Sequence, residues 1–410
     1  MVEQDEEQGE QELTRWAWVE IDTQALRHNV KEAKRLIGPR CQLMAVVKAD
    51  AYGHGAVETA RVVLDEGAKR LAVATVDEGI ELRRAGVTAP ILILAEPPVS
   101  TVKLLVDYNL TPTVDTTEFA IALGDAADAQ GKVADYHPEF AWAYGERAAS
   151  LGKVGKYHMA INTGMNRIGI LPSQIIEFLR AIDFHRGIHL EGVFTHYATA
   201  DEPDEWDFRQ QLERFQGSVQ AIREAGFDPG IVHSANSAAI IRYPEAHFDM
   251  ARLGISLYGL HPSSMTWGMA DLQPVMSVKA RATFVKTPMV GEGVSYGLHY
   301  RTPGGRQIVT LPLGYADGMR RELSGRCQVL IGGKRCNQVG NICMDQMMVE
   351  VVPSASLLNP VDPVEYGDEA VIVGRQGDEQ ITLDELADKL GTITHEVAIG
   401  FGHRMRRIYV

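Results

Sequence analysis

The chain has 410 residues, of which 45% are apolar and 23% charged, and a formal net charge of -14. Its size suggests two or three domains with ample core, and its composition is ordinary for a globular protein. The acidic balance argues against nucleic acid and anionic membrane as main partners, since both reward a basic surface, but leaves room for a local basic pocket that holds a phosphate.

Residues 1–12 carry six acidic side chains and no apolar segment. They read as a disordered, solvated acidic tail rather than a secretory or transit signal. Residues 17–21 read as a strand. From about residue 41 to 260, short apolar runs at 43–47, 71–74, 91–95, 110–114, 157–161, 190–195, 230–233 and 249–253 read as eight strands. Helical patterns at 57–66, 78–85, 118–129, 173–182 and 208–225 lie between them. Such alternation implies βαβ units and a parallel sheet. Eight units fit a (β/α)8 TIM-type barrel, which typically takes roughly 250 residues; an open doubly wound sheet is the alternative.

The pattern changes after about Pro262. Strands are expected at 280–285, 307–313, 327–331, 347–351, 370–373 and 405–410, with one helix at 383–390 opened by Thr382 as a cap. The expected organisation is an α/β barrel over 13–262, followed by a mostly-β domain over 263–410 that residues 13–21 could join. No apolar run approaches the roughly 18 residues that a membrane-spanning helix needs. The four cysteines, Cys41, Cys327, Cys336 and Cys343, form no C-x-x-C pair. They read as free thiols of a reduced, cytoplasmic protein, with no metal site.

Three segments carry chemistry. In Val46-Val47-Lys48-Ala49-Asp50-Ala51-Tyr52-Gly53-His54-Gly55 a lysine ends an apolar strand. Strand C-termini of a barrel face the active site, and a partly desolvated lysine there becomes a nucleophile for Schiff-base chemistry. A lysine snorkelling at the barrel mouth is the plainer alternative. His233-Ser234-Ala235-Asn236-Ser237 follows the seventh strand and Arg252-Leu253-Gly254-Ile255 ends the eighth. Barrel enzymes frequently bind phosphate with the loops after these strands, using hydroxyls and backbone N–H groups. Together the three segments suggest a phosphorylated aldehyde, for which pyridoxal 5'-phosphate (PLP) is the natural candidate.

Seven ordered motifs resemble the alanine racemase family over nearly the whole chain. They are 46–55, Thr163-Gly164-Met165-Asn166-Arg167, Phe194-Thr195-His196-Tyr197-Ala198, 252–258, Val294-Ser295-Tyr296-Gly297, Gly314-Tyr315-Ala316-Asp317-Gly318 and Cys343-Met344-Asp345-Gln346. The resemblance implies interconversion of L- and D-alanine by two bases on opposite faces of the substrate, Lys48 and Tyr296, supplying D-alanine for peptidoglycan. It implies that Lys48 carries PLP. Tyr52, Ser237, Gly254 and Ile255 would hold the phosphate, and Arg252 would face the pyridine nitrogen. His196 would sit between Arg252 and the tyrosine, and Arg167 beside the cofactor's phenolic oxygen and the substrate. The family is a head-to-tail homodimer with shared active sites. Tyr296, Met344 and Asp345 would therefore come from the partner subunit, and Tyr315 would line the entrance.

The chain departs from the family pattern at several positions. Many relatives carry a carbamylated lysine seven residues before the arginine of the Thr-Gly-Met motif; here that position is Ala160, and Asn162 replaces an aspartate. A small anion such as chloride, or a different acceptor, is expected beside Arg167. His403 stands where relatives have a tyrosine, Asn341 where many have an arginine, and Lys-Ala-Asp replaces the commoner Lys-Ala-Asn at Lys48. The alternatives are a racemase of another small amino acid such as serine, a PLP-dependent decarboxylase and a non-catalytic PLP-binding protein. Arg252 argues against the decarboxylase and the second domain against the carrier, while alanine and serine differ by too little to separate from sequence.

Overall fold

The computed structural model describes residues 14–129, 155–352 and 362–410; the acidic tail expected at 1–12 lies outside them. Two compact units emerge, one of Thr23–Val275 and one of the segment up to Asp22 with Met276–Val410.

The first strand, β1 (Ala17–Ile21), belongs to the second of these units. The Thr23–Val275 unit is built on β2 (Gln42–Val46), β3 (Arg70–Val73), β4 (Ile91–Ile93), β5 (Thr111–Pro112), β6 (Gly155–Ala160), β7 (Ile188–Phe194), β8 (Ile231–His233) and β9 (Met250–Leu253). All eight are parallel, in the order β5-β4-β3-β2-β9-β8-β7-β6. A parallel bridge between Thr113 and His158 brings the two ends together. The Val114 N–H donates to the His158 carbonyl at 2.9 Å. The closed ring, not the open sheet, is thus the architecture. Its strands are buried on both faces, which is why they read as continuous apolar runs rather than alternating ones.

Helices lie between the strands. Val76–Arg84 opens with a capping box in which Thr75 Oγ1 accepts from the Glu78 N–H and Glu78 accepts from the Thr75 N–H. Helix Thr23–Ile37 has no counterpart in the sequence reading. Its stripe is thin, Ala25, Leu26, Val30, Ala33 and Ile37, and it also buries Asn29, which binds the Leu257 and Gln273 carbonyls at 3.1 and 2.8 Å. Those contacts correct the expected boundary at 262/263. The chain from 263 to 275 folds back on this helix, with Glu32 accepting from the Asp271 N–H and Asn29 from the Gln273 N–H, so the division falls at Val275/Met276.

Directly after β2 the backbone takes an unusual path. Ala49, Asp50, Ala51 and Tyr52 all have φ between 51° and 54°. One left-handed turn of L-residues costs about 1–2 kcal/mol per residue, so the surroundings must hold it. The Ala49 N–H donates to Glu78 Oε1 and the Ala56 N–H to Asp50 Oδ1, both at 2.7 Å. Buried His54 gives its Nδ1 proton to the Ala51 and Tyr52 carbonyls (3.0 and 3.1 Å). Its ring stacks on Tyr258 at 4.3 Å, and the Tyr258 hydroxyl donates to the Val46 carbonyl at 2.9 Å.

In the other unit β1 is joined by β10 (Met276–Arg281), β11 (Phe284–Lys286), β12 (Gly293–Val294), β13 (Tyr300–Arg301), β14 (Gln307–Leu311), β15 (Gln328–Ile331), β16 (Lys334–Val339), β17 (Met347–Val351), β18 (Glu369–Gln376), β19 (Glu379–Ile381) and β20 (Arg406–Tyr409). The main sheet runs β11-β14-β17-β16-β15-β18-β10-β1-β20, with β19 on β18 and β12-β13 as a separate pair. The single strand expected at 280–285 is two, because β10 pairs with β1 and β18 whereas β11 turns to pair with β14. Helix Leu383–Leu390 is capped by Thr382, which accepts from the Glu385 N–H at 3.1 Å. Helix Thr394–Gly400 was not foreseen. No helix among the described residues is long and apolar enough to cross a membrane.

The left-handed turn inverts a usual substitution rule. Ala49→Gly should stabilise the protein by roughly 0.5–1 kcal/mol in denaturant titration, because relief of the left-handed penalty exceeds glycine's entropic cost. A loss of stability of the same size would show that Ala49 does not hold this conformation.

Candidate functional site

The left-handed turn sets two side chains at the C-terminal mouth of the barrel. Lys48 immediately follows β2, and its Nζ lies 5.9 Å from the centroid of the Tyr52 ring. Burial, and then the Arg167 guanidinium, hold the Lys48 amine below the usual lysine range, while Glu78 pulls the other way. Both main causes disfavour the ammonium, so the nucleophilic free amine is present at lower pH than in a solvated lysine.

Beside it hydroxyls and backbone amides converge. Ser237 opens helix Ser237–Arg242, which Asn236 caps by accepting from the Ala239 N–H at 3.0 Å. Ser237 Oγ accepts from the Gly254 N–H (2.9 Å) and the Ser256 N–H (3.3 Å). A Cβ added to Gly254 would lie 3.2 Å from the Tyr52 hydroxyl and 3.6 Å from Ser237 Oγ. Tyr52, Ser237 and Gly254 thus frame one small polar hollow, with Ile255 next in the chain. The Tyr52 phenol, pushed up to about 12 by burial, remains a donor at neutral pH.

Arg252, on β9, is only 3% exposed. Its Nη2 donates to the Thr195 and Ser234 carbonyls at 2.7 and 2.9 Å and contacts His196 Nδ1 at 3.3 Å, and its Nη1 donates to His233 Nδ1 at 3.0 Å. Burial lowers its pKa only to about 10, so it stays a cation at neutral pH. Since a guanidinium only donates, His196 must accept at Nδ1 and carry its proton on Nε2. Burial first, then the charges of Arg252, Arg167 and Lys48, bring His196 down to about 3; it is neutral.

Arg167 ends a loop organised by Asn162, whose Oδ1 accepts from the Gly164 and Asn166 N–H groups at 3.2 and 3.1 Å. The Arg167 side chain is exposed and makes no hydrogen bond or ion pair among the described residues. Ala160 is buried at the end of β6. Near it Asp115 accepts from the Gly169 N–H at 3.2 Å; burial and the Glu96 carboxylate push Asp115 up to about 7.

Tyr296, Tyr315, Met344 and Asp345 lie in the other unit. Tyr296 is 73% exposed. It stands in a turn with Ser295 at φ 65° and Gly297 at φ 77°. Asn341 Nδ2 donates to the Tyr296 carbonyl (2.7 Å) and Ser295 Oγ to the Asn341 carbonyl (2.5 Å). The Tyr315 N–H donates to the Cys343 carbonyl and the Ala316 N–H to that of Met344, both at 3.0 Å. That close approach requires Gly314, where a Cβ would meet the Cys343 carbonyl oxygen at 2.2 Å. Asp345 pairs with Arg404 at 2.6 Å, and neighbouring His403 is exposed.

Sequence reasoning gave no role to Glu78, His158, Glu191 and Tyr258, and placed His233 at the end of a strand without giving it a role of its own. The signal for His158 was a histidine inside an otherwise apolar strand run. Glu191 offered a comparable one, a carboxylate in a buried parallel strand.

Comparison with known proteins gives one answer. Residues 21–262 match the family model described as alanine racemase, N-terminal domain, and residues 275–409 that for the C-terminal domain. An alanine racemase of Carboxydothermus hydrogenoformans is 44% identical over 394 residues, covering 96% of this chain and 99% of its own. One from Synechocystis is 39% identical, with 96% and 99% coverage. Among solved structures, alanine racemase from Bacillus anthracis with bound L-Ala-P superposes with a TM-score of 0.85 at 35% identity, covering 97% of this chain and 96% of that one. A Clostridium difficile alanine racemase in complex with cycloserine gives 0.85 at 34% identity with the same coverage. With both domain models matched in order and relatives similar over nearly their full length, this chain belongs to the alanine racemase family.

Proposed function

We propose that this enzyme interconverts L- and D-alanine with PLP as cofactor, supplying D-alanine for peptidoglycan in the cytoplasm. The observation that carries the reading is the coincidence, at one barrel mouth, of a lysine with a lowered pKa, the hollow at Gly254 and a buried guanidinium. The hollow fits a phosphate: two hydroxyls and backbone N–H groups border it, and a glycine leaves it open. Tyr52, Ser237, Gly254 and Ile255 would hold that phosphate, and Lys48 would hold the aldehyde end. Arg252 would face the ring nitrogen and, keeping its own protons, leave that nitrogen unprotonated.

When bound, the cofactor withdraws electrons from the substrate and acidifies its Cα–H bond. Lys48 Nζ and the Tyr296 hydroxyl then exchange protons with Cα from opposite faces, one removing a proton while the other returns one. An ordinary tyrosine, with a pKa of about 10, is a poor base at neutral pH. His196, with its proton on Nε2, supplies a donor to the phenolic oxygen, and the nearby Arg252 charge favours the phenolate. Arg167, Met344 and Asp345 position the substrate, and Tyr315 lines the entrance. We assign Tyr296, Met344 and Asp345 to the site of a partner subunit in a homodimer; the exposure of Tyr296 and Met344 supports this. Because Ala160 leaves Arg167 without the family's usual anion, we place a small anion such as chloride beside its exposed guanidinium.

Purified, PLP-loaded protein given L-alanine should lose the substrate's circular dichroism to zero as D-alanine appears in equal amount. Lys48→Ala and Tyr296→Phe should each lower the rate by at least about 100-fold, as expected for loss of a proton-transfer group. Co-expressed, the two variants should regain activity, because one site of each mixed dimer keeps both groups. An unchanged dichroism would sink the alanine reading, and failure of complementation would sink the shared site.

Gly254→Ala should leave the stability of the cofactor-free protein within about 1 kcal/mol, since only the Tyr52 hydroxyl must shift, yet weaken PLP binding at least tenfold. Unchanged PLP affinity would remove the phosphate from this hollow. Replacing chloride by gluconate at constant ionic strength should raise KM for alanine severalfold; indifference to the exchange would argue against an anion beside Arg167.

A further inference from the structure

Arg252 is the end of a longer row. Its Nη1 donates to His233 Nδ1 at 3.0 Å, His233 Nε2 meets His158 Nδ1 at 2.8 Å, and His158 Nε2 meets Glu191 Oε2 at 3.3 Å. Both imidazoles are fully buried. Glu191 is held in turn by Arg70 Nη1 (2.6 Å) and Lys156 Nζ (2.9 Å). Arg70 opens β3 and Glu191 sits on β7, four places apart in the ring of eight strands, so this ion pair crosses the barrel interior.

The row leaves little freedom in where its protons lie. The guanidinium only donates, so His233 accepts at Nδ1 and carries its hydrogen on Nε2. That hydrogen can only go to His158 Nδ1, which puts the His158 hydrogen on Nε2, aimed at the carboxylate. Every donor points the same way, from Arg252 to Glu191. Protonating either histidine would place two donors face to face.

The backbone is bent to build this row. On β6 and β7, Tyr157 pairs with Leu190 but His158 pairs with Gly192, so Glu191 is an extra residue in a bulge. Bulges re-aim side chains, and this one accompanies a carboxylate where an interior residue of a barrel is ordinarily apolar. At Gly192 a Cβ would come within 2.7 Å of the His158 ring and 2.5 Å of the Ile231 carbonyl oxygen; only glycine admits that ring.

Resting on the assignment of Arg252 to the cofactor's ring nitrogen, we propose that His158 and Glu191 are positioning residues for the reaction. Through two neutral imidazoles they hold the Arg252 guanidinium at a fixed angle and balance its charge with a carboxylate too distant to contact the ring. A carboxylate touching Arg252 would draw its donors away; one relayed through two rings leaves them aimed. Lys156 and Arg70 keep that carboxylate ionised at the far end.

The test uses the whole enzyme in two forms. In cofactor-free protein with 15N-labelled histidine, resonances assigned through His158→Gln and His233→Gln should show both wild-type rings neutral with the proton on Nε2 at pH 7.5. In the loaded enzyme, His158→Leu should lower kcat about tenfold to a hundredfold, the loss of one buried hydrogen-bond relay, with KM changed less than threefold. His158→Gln, whose amide accepts at one atom and donates at the other, should retain kcat within about threefold. A charged or Nδ1-protonated ring at either position overturns the proposal, as does wild-type kcat in His158→Leu. Equal losses in the Leu and Gln variants do so too, by showing that only packing was disturbed. If His158→Leu fails to fold, the nitrogen spectra and the glutamine variant decide alone. A wild-type enzyme inactive on alanine would defeat the functional assignment yet leave the spectra to be read independently.

Discussion

A guanidinium buried inside a barrel must have its donors satisfied and its charge answered, and much of the first unit is arranged around that demand. Taking an unpaired cation out of water costs several kcal/mol even after relaxation. Arg252 meets the cost with two backbone carbonyls and two imidazole nitrogens. Each comes from the β7 or β8 end of the ring, so the parallel order β9-β8-β7-β6 is what brings them within reach. A doubly wound open sheet with the same strands would leave Arg70 on the wrong side of the molecule to meet Glu191. Closure of the barrel and satisfaction of its polar interior are therefore the same structural fact seen from two directions.

The residues assigned as bases share a second feature: each stands beside left-handed backbone. Lys48 precedes four residues with φ near 52°, and Tyr296 lies between Ser295 at 65° and Gly297 at 77°. Strained conformations persist only where the surroundings over-determine them, and they cluster at functional sites. Around Lys48 the bracing is visible in Glu78, Asp50, His54 and Tyr258, which anchor the turn from several directions. The return is geometric. A right-handed continuation after β2 would carry the chain along a different path, and the Tyr52 hydroxyl would not reach the hollow beside Gly254.

Electrostatics at the mouth follows from the same economy of negative charge. Lys48, Arg167 and Arg252 all lower the pKa of His196, and Arg167 lowers that of Lys48. With alanine at position 160 and asparagine at 162, the exposed Arg167 guanidinium has no carboxylate partner among the described residues. The field of these three groups suits a phosphorylated, carboxylate-bearing ligand. It keeps His196 neutral with a proton on Nε2 and Lys48 closer to its free-amine form, the states that proton exchange at a substrate carbon requires.

By itself the sequence determined the type of most elements and the chemistry of some single residues. Parallel strands buried on both faces leave continuous apolar runs, so all eight barrel strands were legible, and Thr382 before an apolar-periodic stretch announced its helix. Lys48 and Arg252 stood out locally, as charged residues at the ends of apolar strand runs, whereas Tyr296 and Met344 were reached only through the resemblance of their motifs to the alanine racemase family. The tertiary structure alone decided what depends on distance across the fold. Helix Thr23–Ile37 buries an apolar stripe of its own, but the anchoring of Asn29 and Glu32 to chain more than 200 residues away is a contact no local pattern records. The left-handed turn contradicts the helical preference of Ala49 and Ala51 and is braced by Glu78, Asp50, His54 and Tyr258. The row from Arg252 to Glu191 draws on four strands far apart in sequence, and a polar residue in a buried strand declares that it needs a partner without saying which one closure will supply.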